Sequence, residues 1–415
     1  NIDKIKKAAK LVKKEVILGN KVVVVVSALG KTTNKLQSLI NKISFNSNSK
    51  EIDTILSSGE QASSGLMALA LKNINVKARS FLGWQVPILT NTSYGKAKIL
   101  DIDSKILKKE IKKGVTPVIA GFQGISNEFR ISTIGRGGSD TTAVAIAYKL
   151  NADRCDIHTD VEGVFTADPR WVKKAKKIDQ LTYDEMLEMA SVGAQVLEPR
   201  SVSLAKNNNV ILWVKSSFKN IKGTKISNST KLEKRNVSGI VFSNNDSKIT
   251  LLGIPDKPGV AAKIFGSLAD ENINVDMIVQ NISSDGKYSD LTFTISETDL
   301  FKAKKCINSI KNDIKVKNIL PDSNVAKISI VGIGMRTNAG IAEDMFKALG
   351  KQKINIDLIS TSEIKISVLI SRKNLKIFEV GLKYFGRTYS EGKKISWKDG
   401  FSAIRCIIYY NIFSK

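Results

Sequence analysis

Ile134-Gly135-Arg136-Gly137-Gly138-Ser139-Asp140-Thr141-Thr142-Ala143-Val144 is the stretch on which the reading of this chain turns. Gly135, Gly137 and Gly138 let backbone N–H groups approach an oxygen-rich ligand with no Cβ in the way. Ser139, Asp140, Thr141 and Thr142 are N-cap candidates ahead of the helix-forming run Ala143-Val144-Ala145-Ile146-Ala147. A glycine loop entering a helix N-terminus is an anion site, because exposed N–H groups and the positive end of the helix dipole both attract phosphate or carboxylate. Arg136 adds a planar fork suited to a carboxylate, and Asp140 a carboxylate suited to an ammonium group. A site with both signs of charge fits an amino acid. Taken alone, Gly-x-Gly-Gly is equally a glycine turn capped by serine, so the flanking sequence has to decide.

Working outward, Lys21 to Val26 holds five consecutive valines bounded by turn residues and reads as a buried parallel strand. Ser27-Ala28-Leu29-Gly30-Lys31-Thr32-Thr33 follows, placing small hydroxylated residues just beyond a strand, where open α/β sheets bind ligands. Cys155 to Thr159 reads as a strand delivering Thr159 and Asp160 to a turn, with Asp168-Pro169-Arg170 as a second polar turn. Ile211 to Lys215 reads as the last strand of this region, and Ser216 to Asn236 as a polar connection.

From about Asn236 the sequence repeats itself. Lys248-Ile249-Thr250-Leu251-Leu252-Gly253-Ile254 recurs as Lys327-Ile328-Ser329-Ile330-Val331-Gly332-Ile333, and Ile273-Asn274-Val275-Asp276 as Ile354-Asn355-Ile356-Asp357. Each copy offers an alternating strand, a glycine turn, a helix carrying Phe265 or Phe346, and a further strand.

The chain's 415 residues allow two or three domains, and 42% hydrophobic with 25% charged residues is a globular composition. No apolar run is long enough to cross a bilayer and no leader precedes the first helix, so a cytoplasmic protein without membrane contact is expected. The net charge of +26 is spread along the chain rather than gathered with aromatics, which make up only 7%; nucleic acid is therefore not the expected partner. Cys155, Cys306 and Cys406 lie far apart and His158 is the only histidine, which argues against a Cys/His metal centre, a disulfide framework and Ser-His-Asp hydrolysis.

The central motif resembles the Gly-Arg-Gly-Gly-Ser-Asp-Thr-Thr-Ala signature of the aspartate kinases, members of the amino acid kinase family, and further segments match in order to about residue 385. These include Ser27 to Thr33, Gly59-Glu60, Ser80 to Gln85, Ala120 to Gly124, Thr159 to Arg170 and Leu181 to Leu187. The resemblance implies an α/β, three-layer amino acid kinase (carbamate kinase-like) domain with a mainly parallel sheet over residues 1–235. Two α+β, ferredoxin-like ACT domains follow at 236–324 and 325–385, then a divergent tail at 386–415. It implies transfer of the ATP γ-phosphate to the β-carboxylate of L-aspartate, with Mg²⁺ bridging the phosphates, at the entry to lysine, threonine and methionine synthesis.

Residue by residue, the resemblance gives Arg136 the substrate α-carboxylate and Glu60 its ammonium, with Asp140 organising the centre. Thr32, Thr33, Gly137, Gly138 and Ser139 contact substrate, and Ser27, Thr159, Asp160, Phe165, Thr166, Ala167, Asp168, Pro169 and Arg170 contact ATP. Phe165 stands where tyrosine is usual, keeping the ring and losing the hydroxyl. For a feedback amino acid, lysine or threonine or both, Asp256, Lys257, Pro258, Gly259, Val260 and Ala261 offer a helix start to the carboxylate. Asn274, Val275, Asp276 and Gln280 complete that pocket, and Thr361 and Ser362 match a segment linked to inhibition. ACT domains commonly pair between chains, so a homodimer is expected.

Two departures matter. Gly193-Ala194-Gln195 stands where the family commonly has a lysine that reaches the ATP phosphates, leaving Lys206 or Lys215 as possible substitutes. The family's Lys-Phe-Gly-Gly-Thr-Ser phosphate loop does not precede Asn1 in this sequence, and a chain without that lysine is expected to be severely impaired. The alternative reading is therefore a catalytically inactive, amino-acid-sensing regulatory subunit.

Overall fold

The computed structural model describes residues 2–43, 50–194, 196–228, 236–283, 286–336 and 340–372; Gln195 and the tail at 386–415 lie outside these. The described residues form two compact units, the first drawn from 2–164, 177–190 and 196–228, the second from 165–176, 191–194 and 236–372.

In the first unit Thr116–Ala120 is the middle strand of a parallel trio, with Val24–Val26 on one side and Ala78–Phe81 on the other. All five residues of this strand are buried, as expected of a parallel strand covered on both faces. Alternation divides them. Val118 packs toward Ile5, Ala9, Met67, Ala68 and Leu71 of the helices Ile2–Ile17 and Lys50–Lys72. Ile119 packs toward Phe81, Leu107, Ala145 and Ile146 on the opposite side, where Lys105–Lys112 and Gly138–Leu150 lie. Helix, sheet, helix is thus the layering of this half of the unit. A second sheet, Ile99–Ile102, Ile88–Thr90, Gln123–Ser126 and Ile131–Thr133, leads the chain to the glycine loop. A third pairs Cys155–Thr159 in parallel with Leu212–Ser216, which is followed by Thr224–Ile226 and Gln180–Leu181.

Two expectations need correction. Only Val24–Val26 of the valine run is strand, and it is half-buried, because it sits at the edge of its trio. Leu212–Ser216 is not the last strand of the unit: Thr224–Ile226 turns back antiparallel beside it, its Thr224 Oγ1 donating to Ile178 O at 2.5 Å.

The second unit contains two four-stranded sheets. The first orders Val275–Ile282, Tyr288–Ser296, Asp246–Pro255 and Asn318–Asp322 around a core of Ile249, Leu251, Ile264, Leu268 and Phe293. The second orders Gly239–Ser243, Val325–Val331, Lys365–Ser371 and Ile356–Thr361 around Ile328, Ile330, Met345, Leu349 and Val368. Its outer strand Gly239–Ser243 precedes the whole first repeat and pairs with Val325–Val331 from Gly239↔Val331 to Ser243↔Lys327. Met277, Val325, Leu358 and Leu369 share a small apolar cluster between the repeats.

Candidate active site

The long helix Lys50–Lys72 has only good formers and small residues where it meets the loop after Val26. Gly59 is required there, since a Cβ would lie 2.9 Å from that of Ala28. One residue on, Glu60 is 4% exposed; its Oε1 accepts the Ala28 N–H at 3.0 Å, and its Oε2 is buried with no hydrogen-bond partner among the described residues. Burial raises the Glu60 pKa, and the Ala28 N–H only partly offsets this. An anion held in this way is stabilised by any ammonium group that reaches the second oxygen. Ser27 is exposed at the end of its strand, and Thr32 and Thr33 open the helix Thr32–Ile43, with Thr32 Oγ1 donating to Leu29 O at 2.7 Å.

The glycine loop enters its helix earlier than the residue types suggest. Gly137, in the left-handed region at φ 63°, is the cap residue, and the helix runs Gly138–Leu150 without a side-chain cap. Ser139, Asp140 and Thr141 are therefore first-turn residues and Thr142 opens the second turn, none of them an N-cap; Thr141 and Thr142 turn their hydroxyls back to Gly137 O (3.1 Å) and Gly138 O (2.8 Å). Gly138 N–H donates to Gly135 O (2.9 Å) and Thr141 N–H to Gly137 O (3.1 Å), and the helix start has no side-chain cap. A Cβ on Gly137 would sit 2.3 Å from that of Glu198, and one on Gly138 would strike the Phe122 ring at 2.8 Å. Phe122 itself has φ 66°, a strained conformation for an aromatic residue that tends to collect at functional sites.

Glu198 and Ala28 are site residues that the sequence reading missed. The Glu198 carboxylate lies 4.0 Å from Arg136 Nε, whose side chain is 82% exposed and open to another partner. Burial, with the Glu198 charge adding to it, raises the Asp140 pKa to about 6. The one available signal for Glu198 was its place before Pro199, an acidic residue ahead of a proline at the first helical position.

Thr159 and Asp160 close the strand Cys155–Thr159 in the first unit, Thr159 Oγ1 accepting Val161 N–H at 3.0 Å. Phe165 to Arg170 belong to the second unit. There Thr166 Oγ1 accepts Lys176 N–H at 3.0 Å, and Arg170 Nη2 lies 2.7 Å from Asp168 Oδ2. Burial pushes the Asp168 pKa up, but the Arg170 hydrogen bonds and charge prevail and lower it. Of the substitutes for a lysine at 195, Lys206 is paired with Asp184 at 2.6 Å and Lys215 with Asp156 at 2.7 Å. Neither is a spare cation. Among the described residues no three His, Cys, Asp or Glu side chains gather to hold a metal ion, and no helix is long and apolar enough to cross a membrane.

In the first repeat Gly259, at φ 89°, opens the helix Val260–Asp270. Asp256 and Gln280 lie together (Gln280 Nε2 to Asp256 Oδ1, 3.5 Å), while Asn274, Val275 and Asp276 line a cavity of about 340 Å³ with Asp246 and Lys327. Asp276 is not left to a ligand alone: Lys327 Nζ lies 2.6 Å away. Thr361 ends a strand of the second sheet, and the following Ser362 donates its N–H to Lys365 O at 2.7 Å.

Comparison with known proteins fits this geometry. A profile of the amino acid kinase family matches residues 1–216, and ACT domain profiles match 248–312 and 328–377. An aspartate kinase of Pseudomonas putida is 45% identical over 379 residues, covering 91% of this chain and 92% of its own. The crystal structure of Escherichia coli aspartokinase III in complex with aspartate and ADP superposes with a TM-score of 0.75 at 25% identity, over 90% of this chain and 94% of that one. The same enzyme with lysine and aspartate gives a TM-score of 0.63 at 26% identity, over 83% and 77%. The chain belongs to the amino acid kinase family, among the aspartate kinases that carry two ACT domains.

Proposed function

We propose that this chain transfers the γ-phosphoryl group of ATP to the β-carboxylate of L-aspartate, giving 4-phospho-L-aspartate and ADP. What supports the proposal is the presence in the first unit of two groups of opposite charge, each open to a ligand. Glu60 Oε2 is a buried, unpartnered acceptor for an ammonium, and Arg136 stands on a glycine loop as a donor for a carboxylate. An amino acid held at both ends presents its side-chain carboxylate, already a nucleophile, to the γ-phosphorus. The new O–P bond forms as the bond to the β,γ-bridging oxygen breaks, and no proton need move. Positioning and charge neutralisation do most of the work in such a transfer.

In this reading Thr32, Thr33 and Gly137 to Ser139 line the amino acid, Asp140 organises the centre, and Ser27, Thr159, Asp160 and Phe165 to Arg170 serve the nucleotide. The glycines whose Cβ atoms would strike Glu198 and Phe122 keep the loop backbone bare, which fits a phosphate-bearing ligand. Mg²⁺ entering with the nucleotide would neutralise phosphate charge. The chain then divides at 235/236 and 324/325, with strand Gly239–Ser243 lent to the second ACT sheet. We further propose that Asp256 to Ala261, Asn274 to Asp276, Gln280, Thr361 and Ser362 bind a feedback amino acid, lysine or threonine. We place the protein in the cytoplasm as a homodimer joined through its ACT domains, at the first step of lysine, threonine and methionine synthesis.

The test is ATP- and aspartate-dependent acyl phosphate formation, trapped as the hydroxamate. It is run on this chain and on the chain extended at its amino terminus with a Lys-Phe-Gly-Gly-Thr-Ser segment. Hydroxamate from either supports the kinase. None from both, with lysine or threonine still bound, leaves the regulatory subunit as the function.

A further inference from the structure

Two ionisable side chains outside the proposed chemistry hold the base of the Arg136 loop. Asp53, on the helix Lys50–Lys72, is 1% exposed. Its Oδ2 accepts the N–H groups of Gly95 at 2.9 Å and Thr133 at 2.6 Å, and its Oδ1 accepts the Thr133 hydroxyl at 2.8 Å. Arg200, from the helix Pro199–Asn207, donates through Nη1 to Ile134 O at 2.8 Å and through Nη2 to Ala97 O at 2.7 Å. The two segments so gripped are also bonded to each other, Ala97 N–H to Thr133 O at 2.9 Å. Gly135 approaches so closely that an added Cβ would stand 3.0 Å from Gly95 O. Consecutive points at Thr133, Ile134 and Gly135 are thus fixed, and the next residue is Arg136.

A buried charge is an inefficient source of stability, since desolvation offsets most of what its partners return. It is an effective means of fixing direction, because charge-assisted bonds are short and an Arg fork grips two carbonyls in one plane. We propose that Asp53 and Arg200 are positioning residues for the transfer, a carboxylate and a guanidinium that together set the pose of the Gly135–Gly138 loop and so aim Arg136 at the substrate α-carboxylate. The inference rests on the reading of Arg136 given above.

Asp53→Asn and Arg200→Lys in the full chain test it by hydroxamate formation with aspartate and ATP varied separately. A displaced loop raises the aspartate KM on the order of 10- to 100-fold and leaves the ATP KM within about twofold. A merely structural role lowers both activities in proportion to folded protein and leaves both KM values unmoved, which overturns the proposal. If Asp53→Asn does not fold, Thr133→Val removes only the hydroxyl partner of Oδ1 and must raise the aspartate KM in the same direction; an unchanged value is a refutation. Amide hydrogen exchange without substrates gives a readout independent of activity. Exchange at Thr133–Asp140 rises about tenfold or more in the variants while Val118–Ala120 keeps its protection. If neither the parent chain nor its extended form gives hydroxamate, the kinase reading has failed and exchange alone decides the clamp: unchanged protection at Thr133–Asp140 overturns it.

Discussion

Glu60 joins an unfavourable burial to a useful charge. Its unpartnered Oε2 and raised pKa mean that the unliganded protein carries an acceptor poorly served by its surroundings. Glu60→Gln is therefore expected to melt no lower than the parent while binding L-aspartate roughly 10- to 100-fold more weakly, the usual scale for a hydrogen bond to a charged group. Calorimetric titration and a thermal melt on the same sample measure both. Asp140 has a related consequence for pH. Its folded pKa of about 6 stands above the ordinary 3.8, so the folded state holds the proton more tightly than the unfolded state. Stability from this group is present below pH 3.8 and is lost as pH rises toward about 6. At about 1.4 kcal/mol per unit, the difference is on the order of 2–3 kcal/mol. Asp140→Asn should flatten the fall in denaturation midpoint across that window and leave the protein more stable than the parent at neutral pH; an unchanged slope in urea titrations would assign the dependence elsewhere.

At the level of elements, local pattern was readable and long-range packing was not. The internal repeat showed in the sequence because both copies bury the same alternation, Ile249 and Leu251 in one, Ile328 and Ile330 in the other. The glycine loop was readable only together with its flanking sequence, since Gly-x-Gly-Gly alone is equally a capped turn. The helix start was placed too late, since the left-handed turn at Gly137 is fitted to the Glu198 side chain, 61 residues away in register by no local rule. Asp53 and Arg200 escaped notice for the same reason: each grips backbone, and backbone partners leave no trace in residue type. Nor could a strand at Gly239–Ser243 be assigned to the second repeat without knowledge of its pairing. That pairing is open to test. Ile240 is 6% exposed in the second core, so Ile240→Asp should cost more than about 3 kcal/mol. Hydrogen exchange should show protection lost in Val325–Val331 and Lys365–Ser371 but kept in Asp246–Pro255. Equal loss in both sheets would mean that the strand serves the pair rather than the second repeat.

On the scale of the whole chain, positive charge is abundant but seldom buried, and among the described residues Lys327 is the buried cation. Its side chain is 5% exposed between Asp246 (3.0 Å) and Asp276 (2.6 Å), so one cation of the second repeat neutralises two carboxylates of the first. Burial lowers its pKa, but the two carboxylates outweigh this and raise it. The stability it confers is therefore present below 10.5 and is lost as pH climbs through the raised folded value. Lys327→Met, which keeps the length and removes the charge, should cost about 3–5 kcal/mol by leaving the buried Asp246 carboxylate without its cation. The double variant with Asp246→Asn should recover part of that loss in thermal melts; failure to recover any would show that the lysine stem, not its charge, is what matters.

The strand Gly239–Ser243 also sets an order of events during synthesis. It leaves the ribosome before the first repeat, yet its partner Val325–Val331 emerges roughly 80 residues later. At about 5–20 residues per second, that is a delay of some 4 to 16 seconds. Throughout it an apolar segment with open hydrogen-bonding edges stands beside a neighbour already able to fold. Nascent chains stalled in this interval should be the ones that trigger-type chaperones hold, and slow codons placed there should lower the yield more than slow codons placed after Ser371.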